Sequence, residues 1–580
     1  MIISHKQYFK IGLVSLLLGL ICSIGILAWV PPISRDALTH HLAVPKLYLQ
    51  HGGIYEIPSI VFSYYPMNID LLYLIPMYFE NDIAPKYIHF LFALLTAGLI
   101  FAYLRKKLGS VWGLFGALFF LSVPAIVKLS ITVYVDLGLV FFSTAALTSL
   151  LKWIEYRFQV RYLILSAICC GLALGTKYNG LLVLFILMLF IPFVFLSNSK
   201  NKFKVKESAD KATLIKIQLK AVGFGAIFFI IALLVFSPWM IRNYVWKANP
   251  IYPLYDNVFN RQIPVSPYTQ TGSQALEPAA DLQQKSKAKS TRWGPFAIRK
   301  VIYGESWWEI VLIPVRIFFQ GRDDNPRYFD GKLNPFLFLL PLFAFFQLKS
   351  DSPAIITDKK ILGFFTILFI LYAFLQTDMR IRYIAPTIPP LVVLSTFGFY
   401  QIHKFIARQW SQNRGQGVQI AVVVLAAVIF IFNALYIIHQ FKLVDPFSYI
   451  SGRVGRNAYI TRYRPEYTVI QYANRHLAAD ARLLVLFMGN RRYYSDRELI
   501  FGNNLFLKSV KKVNSARAIL NDLQKRGFSH LLIRYDLFNN WTDKQFGDRE
   551  KKMLKVFFAR DVKPLFSKNG YGLFELQFIQ

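Results

Sequence analysis

The segment KIGLVSLLLGLICSIGILAWVPPISRDALTHH, residues 10–41, decides the fold because a long apolar run is followed at once by charged and polar residues. The run from about residue 10 to 30 is long enough to cross a hydrocarbon core of roughly 30 Å as a helix. Basic residues precede it and no small-residue cleavage site follows it, so we expect a retained anchor rather than a removable signal peptide. Asp36 therefore lies just outside the first predicted membrane span.

Similar apolar runs recur along the first three quarters of the chain. Hydrophobic residues make up 55% and aromatic residues 16% of the 580 residues, more than is usual in soluble proteins. The sequence therefore predicts a polytopic α-helical membrane protein with about eleven transmembrane helices. The predicted spans are, approximately, 10–30, 84–104, 111–128, 133–151, 162–176, 180–196, 221–239, 333–348, 361–376, 384–403 and 418–440.

Short segments rich in Lys and Arg alternate with these spans, and such segments remain in the cytoplasm. They precede the first span and follow the second, fourth, sixth, eighth and tenth. The N-terminus is therefore predicted to be cytoplasmic and the residues after 440 to lie outside. The net charge of +34 favours anionic lipid head groups and phosphate-bearing lipids as partners, rather than nucleic acid.

The same pattern divides the chain into two predicted domains. Residues 1–440 form a transmembrane domain with exoplasmic loops at 31–83 and 240–332, and residues 441–580 have the composition of a soluble protein. Alternating strand and helix patterns predict a small α/β domain for the second part. Strands are expected near 483–488, 530–535, 562–566 and 572–576, and helices near 468–477, 515–527 and 548–559. The turn at 489–497 either contacts glycan or is a solvated turn.

The first exoplasmic loop contains an acid followed by two histidines. Leucines at helical spacing predict a helix on the membrane surface, with Asp36 four residues before His40 and five before His41. The carboxylate and an imidazole would then share one helix face, as proton transfer or substrate binding requires. The alternative is that Asp36 stabilises the helix N-terminus as a cap.

Two charged residues border later spans. Asp136 lies at the exoplasmic entry of the fourth span, where an ionised carboxylate costs on the order of 2 to 3 kcal/mol unless it faces a cavity or a cation. Lys177 and Tyr178 lie in the turn GLALGTKYNGL between the fifth and sixth spans. The alternatives are a structural pairing of Asp136 with a Lys or Arg, and an interfacial position for Lys177 with its ammonium in water.

Arginines mark two further exoplasmic turns. Arg242 follows the Trp-rich end of the seventh span, and Arg380 and Arg382 lie beside Tyr383 between the ninth and tenth spans. Planar guanidinium groups suit phosphate, so the pair predicts a clamp for a lipid phosphate. A structural ion pair with Asp378 is the alternative.

These segments together resemble the GT-C glycosyltransferases that use a polyprenyl-phosphate sugar. That group includes glycosyltransferase family 39, with the protein O-mannosyltransferases, and the aminoarabinose transferase of lipid A. The resemblance covers about residues 10–440 and rests on the order and common side of the segments rather than on one motif. They are RDALTHHLAVPKLYLQHG, YVDLGL, GLALGTKYNGL, PWMIRNYVWKANPIYP and RIRYIAPTIPP.

The resemblance implies a role for each candidate residue. The first-loop acid of that family is catalytic or lies near the acceptor, which implies Asp36 as a general base and, with it, Asp136 as a second catalytic residue. Basic residues of the later loops hold the donor phosphate in that family. The candidates for the donor phosphate are Lys177, Arg242, Arg380 and Arg382, and those for substrate binding are His40, His41, Tyr178 and Tyr383.

A divalent metal is left open by a departure from the family pattern. Many relatives have two adjacent acids in the first loop, whereas Arg35 and Ala37 flank the single acid here. No cofactor is therefore expected with certainty. If a metal binds, its ligands would be Asp36, His40, His41 and Asp136.

The implied function is transfer of a sugar from a polyprenyl-phosphate donor to a glycan, lipid or protein acceptor on the exoplasmic face. We expect a bacterial inner membrane location with the C-terminal domain in the periplasm. A transporter or flippase of lipid-linked sugars is one alternative, but no clear internal repeat is visible and the informative charges lie at one interface. A ligase or polymerase that uses diphosphate-linked glycans is the closer alternative, and the donor lipid would distinguish it.

Overall fold

The structure is a computed structural model that describes residues 5–203, 211–260, 294–346, 351–376, 379–409 and 415–577. The chain divides into two compact units. Of the described residues, the membrane unit comprises those of 5–29, 64–260 and 294–446, and the C-terminal unit comprises 30–63 and 447–577. The first part of the predicted exoplasmic loop, residues 30–63, therefore packs with the C-terminal residues, which the sequence analysis did not anticipate.

Helices dominate the described residues, and the strands that the structure describes all lie after residue 481. The helices are α1 (His5–Ala28), α2 (Ala43–His51), α3 (Asn68–Tyr78), α4 (Ala84–Leu108), α5 (Ser110–Ser122), α6 (Pro124–Ser130), α7 (Asp136–Glu155), α8 (Val160–Thr176), α9 (Gly180–Phe203), α10 (Lys211–Lys247), α11 (Asp256–Phe259), α12 (Pro295–Ala297), α13 (Trp307–Val311), α14 (Ile313–Arg316), α15 (Phe336–Ala344), α16 (Pro353–Gln376), α17 (Ile388–Gln409), α18 (Gly415–Val444), α19 (Pro446–Ile450), α20 (Arg456–Tyr463), α21 (Tyr467–His476), α22 (Asn503–Lys512), α23 (Ala516–Lys525), α24 (Tyr535–Gln545) and α25 (Asp548–Val556). The strands are β1 (Arg482–Leu486), β2 (Glu498–Phe501), β3 (His530–Arg534), β4 (Val562–Lys568) and β5 (Tyr571–Leu576).

Every predicted span is helical over most of its length, but fewer than eleven are long and apolar enough to cross a membrane. Among the described residues seven helices meet that condition, and a bent pair adds an eighth. The seven are Gln7–Ala28, Ala84–Leu108, Asp136–Glu155, Gly180–Ser199, Ala212–Lys247, Ile381–Ile406 and Val424–Val444. The length and composition of these helices thus support the predicted polytopic membrane class.

Most of the shortfall against eleven comes from short or broken helices, although the predicted ninth span lies in α16, which has 24 residues and is not among the seven. The predicted third span is the pair α5 and α6, which meet at 66°. Pro124 disfavours helical backbone in the residue before it, and Val123 is extended, with φ −57° and ψ 127°. The predicted fifth span, α8, has 17 residues, and the helix of the predicted eighth, α15, has 9.

Two of the candidate spans form the interior of the membrane unit. In the most apolar stretch of Ile381–Ile406, 89% of residues are buried within the unit, and in that of Asp136–Glu155 the share is 72%, against 28% for the first span. The first span therefore exposes most of its surface, as a lipid-facing helix does. The two buried spans begin close to Asp136 and Arg382, so two of the candidate site residues lie where interior helices start.

The C-terminal unit contains a five-stranded mixed sheet in the order β2-β1-β3-β5-β4. Strand β1 pairs in parallel with β2 and β3, while β5 pairs antiparallel with β3 and β4. Alternate residues of β1 enter two different hydrophobic clusters, Leu484 and Leu486 one and Leu483 and Val485 the other. Since neighbouring side chains of a strand point to opposite faces, both faces of the sheet are covered.

The predicted α/β domain is confirmed, and its predicted strands and helices are present. The sequence analysis missed strand β2 and helices α20, α22 and α24. Strand β2 has four residues, of which only Leu499 is fully buried. A strand so short carries too little alternation to be recognised, although it completes one edge of the sheet.

Residues 30–63 form a compact segment of the C-terminal unit. A π-helical turn at Ala37–His41 follows Asp36 and leads into α2, and the Leu42 N–H donates to the Ala37 carbonyl at 2.9 Å. Such single π turns inside helical segments are frequent at functional sites. The helix predicted to begin near Asp36 is therefore present, but its first turn is wider than an α-helical one.

Candidate active site

The first turn of α7 fixes the position of Asp136. Asp136 is the first residue of the helix, and only 1% of it is exposed. The fully buried His89 of α4 accepts a hydrogen bond from the Leu137 N–H at Nε2, at 2.9 Å. Its Nδ1 lies 3.0 Å from the carbonyl oxygens of Leu129 and Thr132, so we assign the proton to Nδ1 and a neutral ring. His89 thus holds the start of α7 against α4.

Lys177 reaches Asp136 from the tight turn between α8 and α9. Its Nζ lies 2.7 Å from Asp136 Oδ1, while Oδ2 is buried with no hydrogen-bond partner among the described residues. The backbone of Gly180 approaches that of Ala173 closely. A Cβ at position 180 would lie 2.7 Å from the Ala173 backbone, so a residue without a side chain is required there. The pairing of Asp136 with a Lys or Arg, which the sequence analysis gave as an alternative, is therefore present, and the partner is Lys177.

Arg382 and Tyr383 lie beside this ion pair. The Arg382 guanidinium lies 5.5 Å from the Tyr134 ring centroid and 5.4 Å from that of Tyr383, and Lys177 Nζ lies 5.6 Å from Tyr383. Arg382 also interacts electrostatically with Asp136. One carboxylate and two cations are thereby gathered around two tyrosine rings.

Arg380, on the same turn, has a different partner. Its Nη1 lies 3.4 Å from Asp330 Oδ2. Of the two arginines predicted as one clamp, Arg382 therefore lies beside tyrosine rings and Arg380 beside an acid. Asp378, the ion-pair partner considered from the sequence, lies outside the described residues.

A buried group that the sequence analysis missed holds this turn. Arg299, only 1% exposed, donates to the carbonyls of Arg327 at 2.7 Å and Met379 at 3.3 Å. Glu305 Oε1 accepts from Arg299 at 3.3 Å and from Arg316 at 3.2 Å. Buried charges are tolerated when paired in this way, so the group ties the long loop after α10 to the residue before Arg380.

Arg242 is held at the end of α10 by its neighbour. The guanidinium lies 4.5 Å from the Trp239 ring and 5.0 Å from Trp246. Its Nε and Nη2 donate to Asn243 Oδ1 at 3.1 and 2.9 Å, and Nη2 donates to the Tyr65 carbonyl at 3.2 Å. Asn243 Nδ2 in turn donates to the Tyr64 carbonyl at 2.9 Å and to the Tyr178 hydroxyl at 3.1 Å. Asn243 therefore fixes the plane of the guanidinium.

Tyr65 connects the group around Arg242 with the group around Lys177 and Arg382. Its ring lies 5.2 Å from that of Tyr178, and burial first, then the charge of Tyr383, raises the pKa of its phenol to about 12. The hydroxyl is therefore protonated at neutral pH and able to donate. Tyr65 and Asn243 are neutral, so neither stands out in a hydropathy pattern. Asn243 nevertheless lies within the segment PWMIRNYVWKANPIYP, and Tyr65 lies within the first predicted exoplasmic loop.

The remaining candidates lie in the C-terminal unit. Asp36 is partly buried and occupies the N-cap position of the π-helical turn, but its side chain makes no capping hydrogen bond. The His40 ring lies 4.3 Å from Phe62 and 4.0 Å from His41. Among the described residues no group of three or more His, Cys, Asp or Glu side chains is arranged to hold a metal ion. The ligand set considered from the sequence is divided between the two units.

Comparison with known proteins identifies the fold. Residues 52–249 match the family model described as dolichyl-phosphate-mannose-protein mannosyltransferase. The crystal structure of ArnT from Cupriavidus metallidurans bound to undecaprenyl phosphate superposes with a TM-score of 0.54 and 12% identity, over 98% of each chain. The chain has the GT-C glycosyltransferase fold.

A second GT-C structure supports the same fold. The Archaeoglobus fulgidus oligosaccharyltransferase tethered with an acceptor peptide superposes with a TM-score of 0.51 and 10% identity, over 97% of this chain and 74% of that one. A search of curated protein sequences finds no match. The predicted GT-C resemblance is confirmed, as is an integral membrane protein with a small C-terminal sheet domain. The predicted enzyme class, glycosyltransferase, is that of the matched family and of these structures.

Proposed function

We propose that the chain transfers a sugar from a polyprenyl-phosphate donor to an acceptor on the exoplasmic face of a bacterial inner membrane. In this topology the N-terminus is cytoplasmic and the C-terminal domain periplasmic. The observation that carries the proposal is the gathering of Lys177, Arg382 and Arg242 around tyrosines of one membrane unit. Phosphate-linked lipids are named in both the matched family and the ArnT structure, which supports this class of donor.

The basic residues are proposed to stabilise the leaving group. When the bond between the sugar and the phosphate oxygen breaks, negative charge grows on the polyprenyl phosphate, and cations fixed in advance lower the energy of that state. Lys177 and Arg382 already lie together, and Asn243 holds Arg242 in one orientation. We propose that Arg380 contributes to the same positive electrostatic field from a greater distance.

The two acids are proposed to have different roles. Asp136 orients Lys177, because the carboxylate is buried and contacts the ammonium at 2.7 Å. Asp36 takes the proton from the acceptor hydroxyl while the hydroxyl oxygen forms its bond to the sugar. General-base catalysis of this kind commonly raises the rate about 10²- to 10⁴-fold. His40 and His41 are proposed to contact the acceptor, Tyr383 the donor, and Tyr178 to act by holding Asn243.

The test is transfer by the purified full-length protein in lipid nanodiscs. Defined polyprenyl monophosphate and diphosphate sugars are supplied with envelope glycan, lipid or protein fractions, and release of the free polyprenyl phosphate is measured for wild type and Asp36→Asn. Asp543→Asn is the matched control, since Asp543 is an exposed acid that pairs with Lys551 at 3.3 Å. Release from the monophosphate donor that is lost only in Asp36→Asn is the expected result.

Two outcomes would contradict the proposal. Release from diphosphate donors alone would favour a ligase or polymerase. Bound lipid-linked sugar that is moved across the bilayer of a proteoliposome, with no release for any acceptor fraction, would favour a transporter.

A further inference from the structure

We propose that the turn at residues 491–494 of the C-terminal domain is a positioning element for Asp36. The inference deepens the proposed function and rests on it, because Asp36 is the proposed base. It concerns contacts within the C-terminal unit alone. It would also give a role to the domain, which carries no recognisable catalytic motif of its own.

The turn holds the segment directly after Asp36. The backbone N–H groups of Arg492 and Tyr493 both donate to the Leu38 carbonyl, each at 3.0 Å. Leu38 lies inside the π-helical turn. Two donors on one carbonyl of this turn fix it two residues from Asp36, and they use the backbone, so they do not depend on side-chain rotamers.

A lysine fastens the next helix to the same turn. Lys46 Nζ, on α2, donates to the carbonyls of Tyr493 at 3.0 Å and Ser495 at 2.9 Å and to Asp496 Oδ1 at 2.8 Å. These bonds use all three ammonium protons. The bonds to two carbonyls fix the ammonium more firmly than an exposed ion pair does, since exposed pairs alone contribute little.

Two further bonds hold the chain before Asp36. The Tyr494 hydroxyl donates to the Pro32 carbonyl at 2.7 Å, and Arg464 Nε donates to the Ile33 carbonyl at 2.6 Å. Asp36 is therefore bracketed on both sides along the chain by residues of the C-terminal domain. The turn that the sequence analysis considered for glycan contact thus also contacts this segment.

The turn itself is anchored in the domain. Arg491 forms an ion pair with the buried Glu466 at 2.5 Å, and Asn474 Nδ2 donates to the Tyr494 carbonyl at 2.9 Å. Just before the turn, Phe487 and Asn490 have positive φ values, 62° and 58°, a conformation that is uncommon for residues other than glycine, asparagine and aspartate. The contacts of Arg491 and Tyr494 thus hold the turn in the domain.

The place of the turn in the sheet agrees with a functional role. It follows the carboxyl end of β1, which lies between β2 and β3 and is parallel to both. In α/β sheets ligands bind outside the carboxyl ends of the strands, where the chain passes to opposite sides of one strand. Here the site is filled by the Asp36 segment of the same chain.

The test uses Tyr494→Phe and Lys46→Met in the full-length protein. Tyr494→Phe removes only the hydroxyl and keeps the ring, and Lys46→Met removes the ammonium but keeps the stem. Lys551→Met, which breaks an ion pair between α24 and α25, is the matched control. In hydrogen exchange, amides at 36–42 should exchange about 10-fold faster in both variants, through loss of one or more hydrogen bonds, with α7 unchanged. Wild-type exchange at 36–42 would overturn the inference.

Kinetics separate positioning from a general loss of structure. We expect kcat for polyprenyl-phosphate release to fall about 10- to 100-fold in both variants, as a misplaced base does, with KM for the donor unchanged. In an Asp36→Asn background the same substitutions should cause no further loss, because they act through Asp36. Additive losses in that background would overturn the inference. Wild-type activity of Asp36→Asn would instead overturn the proposed base, while the exchange result still reports on the contacts.

Discussion

The two candidate acids are held in opposite ways. Asp136 begins a buried span of the membrane unit, is 1% exposed and contacts Lys177 at 2.7 Å. Asp36 lies in the C-terminal unit at a π-helical turn, is partly buried and makes no capping bond. A buried acid that contacts a cation is suited to orient that cation. An acid on an irregular turn, whose backbone is held by hydrogen bonds, is suited to accept a proton. The predictions below test that contrast.

The largest effect is expected at Asp36. Asp36→Asn removes the proposed base without changing size, so kcat should fall about 10²- to 10⁴-fold. The thermal unfolding midpoint should fall less than in Lys177→Met, because Asp36 is only partly buried whereas the carboxylate that Lys177 contacts is 1% exposed. Steady-state rates and unfolding in the same detergent check both. A midpoint lowered as far as in Lys177→Met, with a proportionate loss of activity, would assign Asp36 a structural role and remove the contrast.

A large loss of stability is expected at Lys177. Lys177→Met leaves the Asp136 carboxylate buried without its partner, which typically costs about 3–5 kcal/mol. The thermal midpoint should therefore fall, and the double variant Asp136→Asn, Lys177→Met should recover most of the loss while remaining inactive. A double variant no more stable than Lys177→Met would mean that the ion pair is not what the single substitution disrupts.

A smaller effect is expected at Asn243. Asn243→Ala removes the acceptor that holds Arg242, and one hydrogen bond to a charged group corresponds to roughly 10-fold in binding. We expect KM for the donor to rise by about that factor, with kcat nearly unchanged. Asn198→Ala is the control, since its amide donates only to the Val194 carbonyl of the same helix. An unchanged donor KM would separate Arg242 from the donor phosphate.

The smallest effect is a pH dependence confined to the C-terminal unit. Burial lowers the pKa of His530 from its ordinary value of 6.5, and the attraction of Glu575 only partly opposes this. Below about pH 6.5 the unfolded chain therefore binds the proton first, so stability is full at neutral pH and falls as the pH drops through that window. The protection factors for hydrogen exchange at β3, which correct for the slower intrinsic exchange of amides in acid, should fall on acidification to about pH 5.5, and less so in His530→Gln. An equal fall in the two proteins would contradict this.

The sequence was sufficient for most helices of the membrane unit and for the charged residues of its cluster. Asp136, Lys177, Arg242 and Arg382 were recognisable because charges next to apolar spans are costly and hence conspicuous. The order of the spans and their alternating basic segments then placed these residues on one side. What makes them one cluster, however, is tertiary packing.

Three features lay beyond the sequence for physical reasons. Asn243 and Tyr65 are neutral, so neither hydropathy nor charge marks them. The Arg299 and Glu305 pair lies in a long loop where basic residues are common, and its burial depends on contacts with distant chain segments. The packing of residues 30–63 on the C-terminal domain rests largely on backbone carbonyls, which every residue type possesses.

The bond between Lys46 and the Tyr493 carbonyl joins positions 447 residues apart, which has a consequence for biosynthesis. Ribosomes make the chain from its N-terminus, so the Asp36 segment leaves the ribosome long before the turn that holds it exists. All the predicted spans but the first are made in the interval. A chain interrupted before residue 491 would therefore contain its predicted spans, yet lack the contacts of the turn at 491–494 with the Asp36 segment. We expect the proposed activity to begin only after this turn has been made.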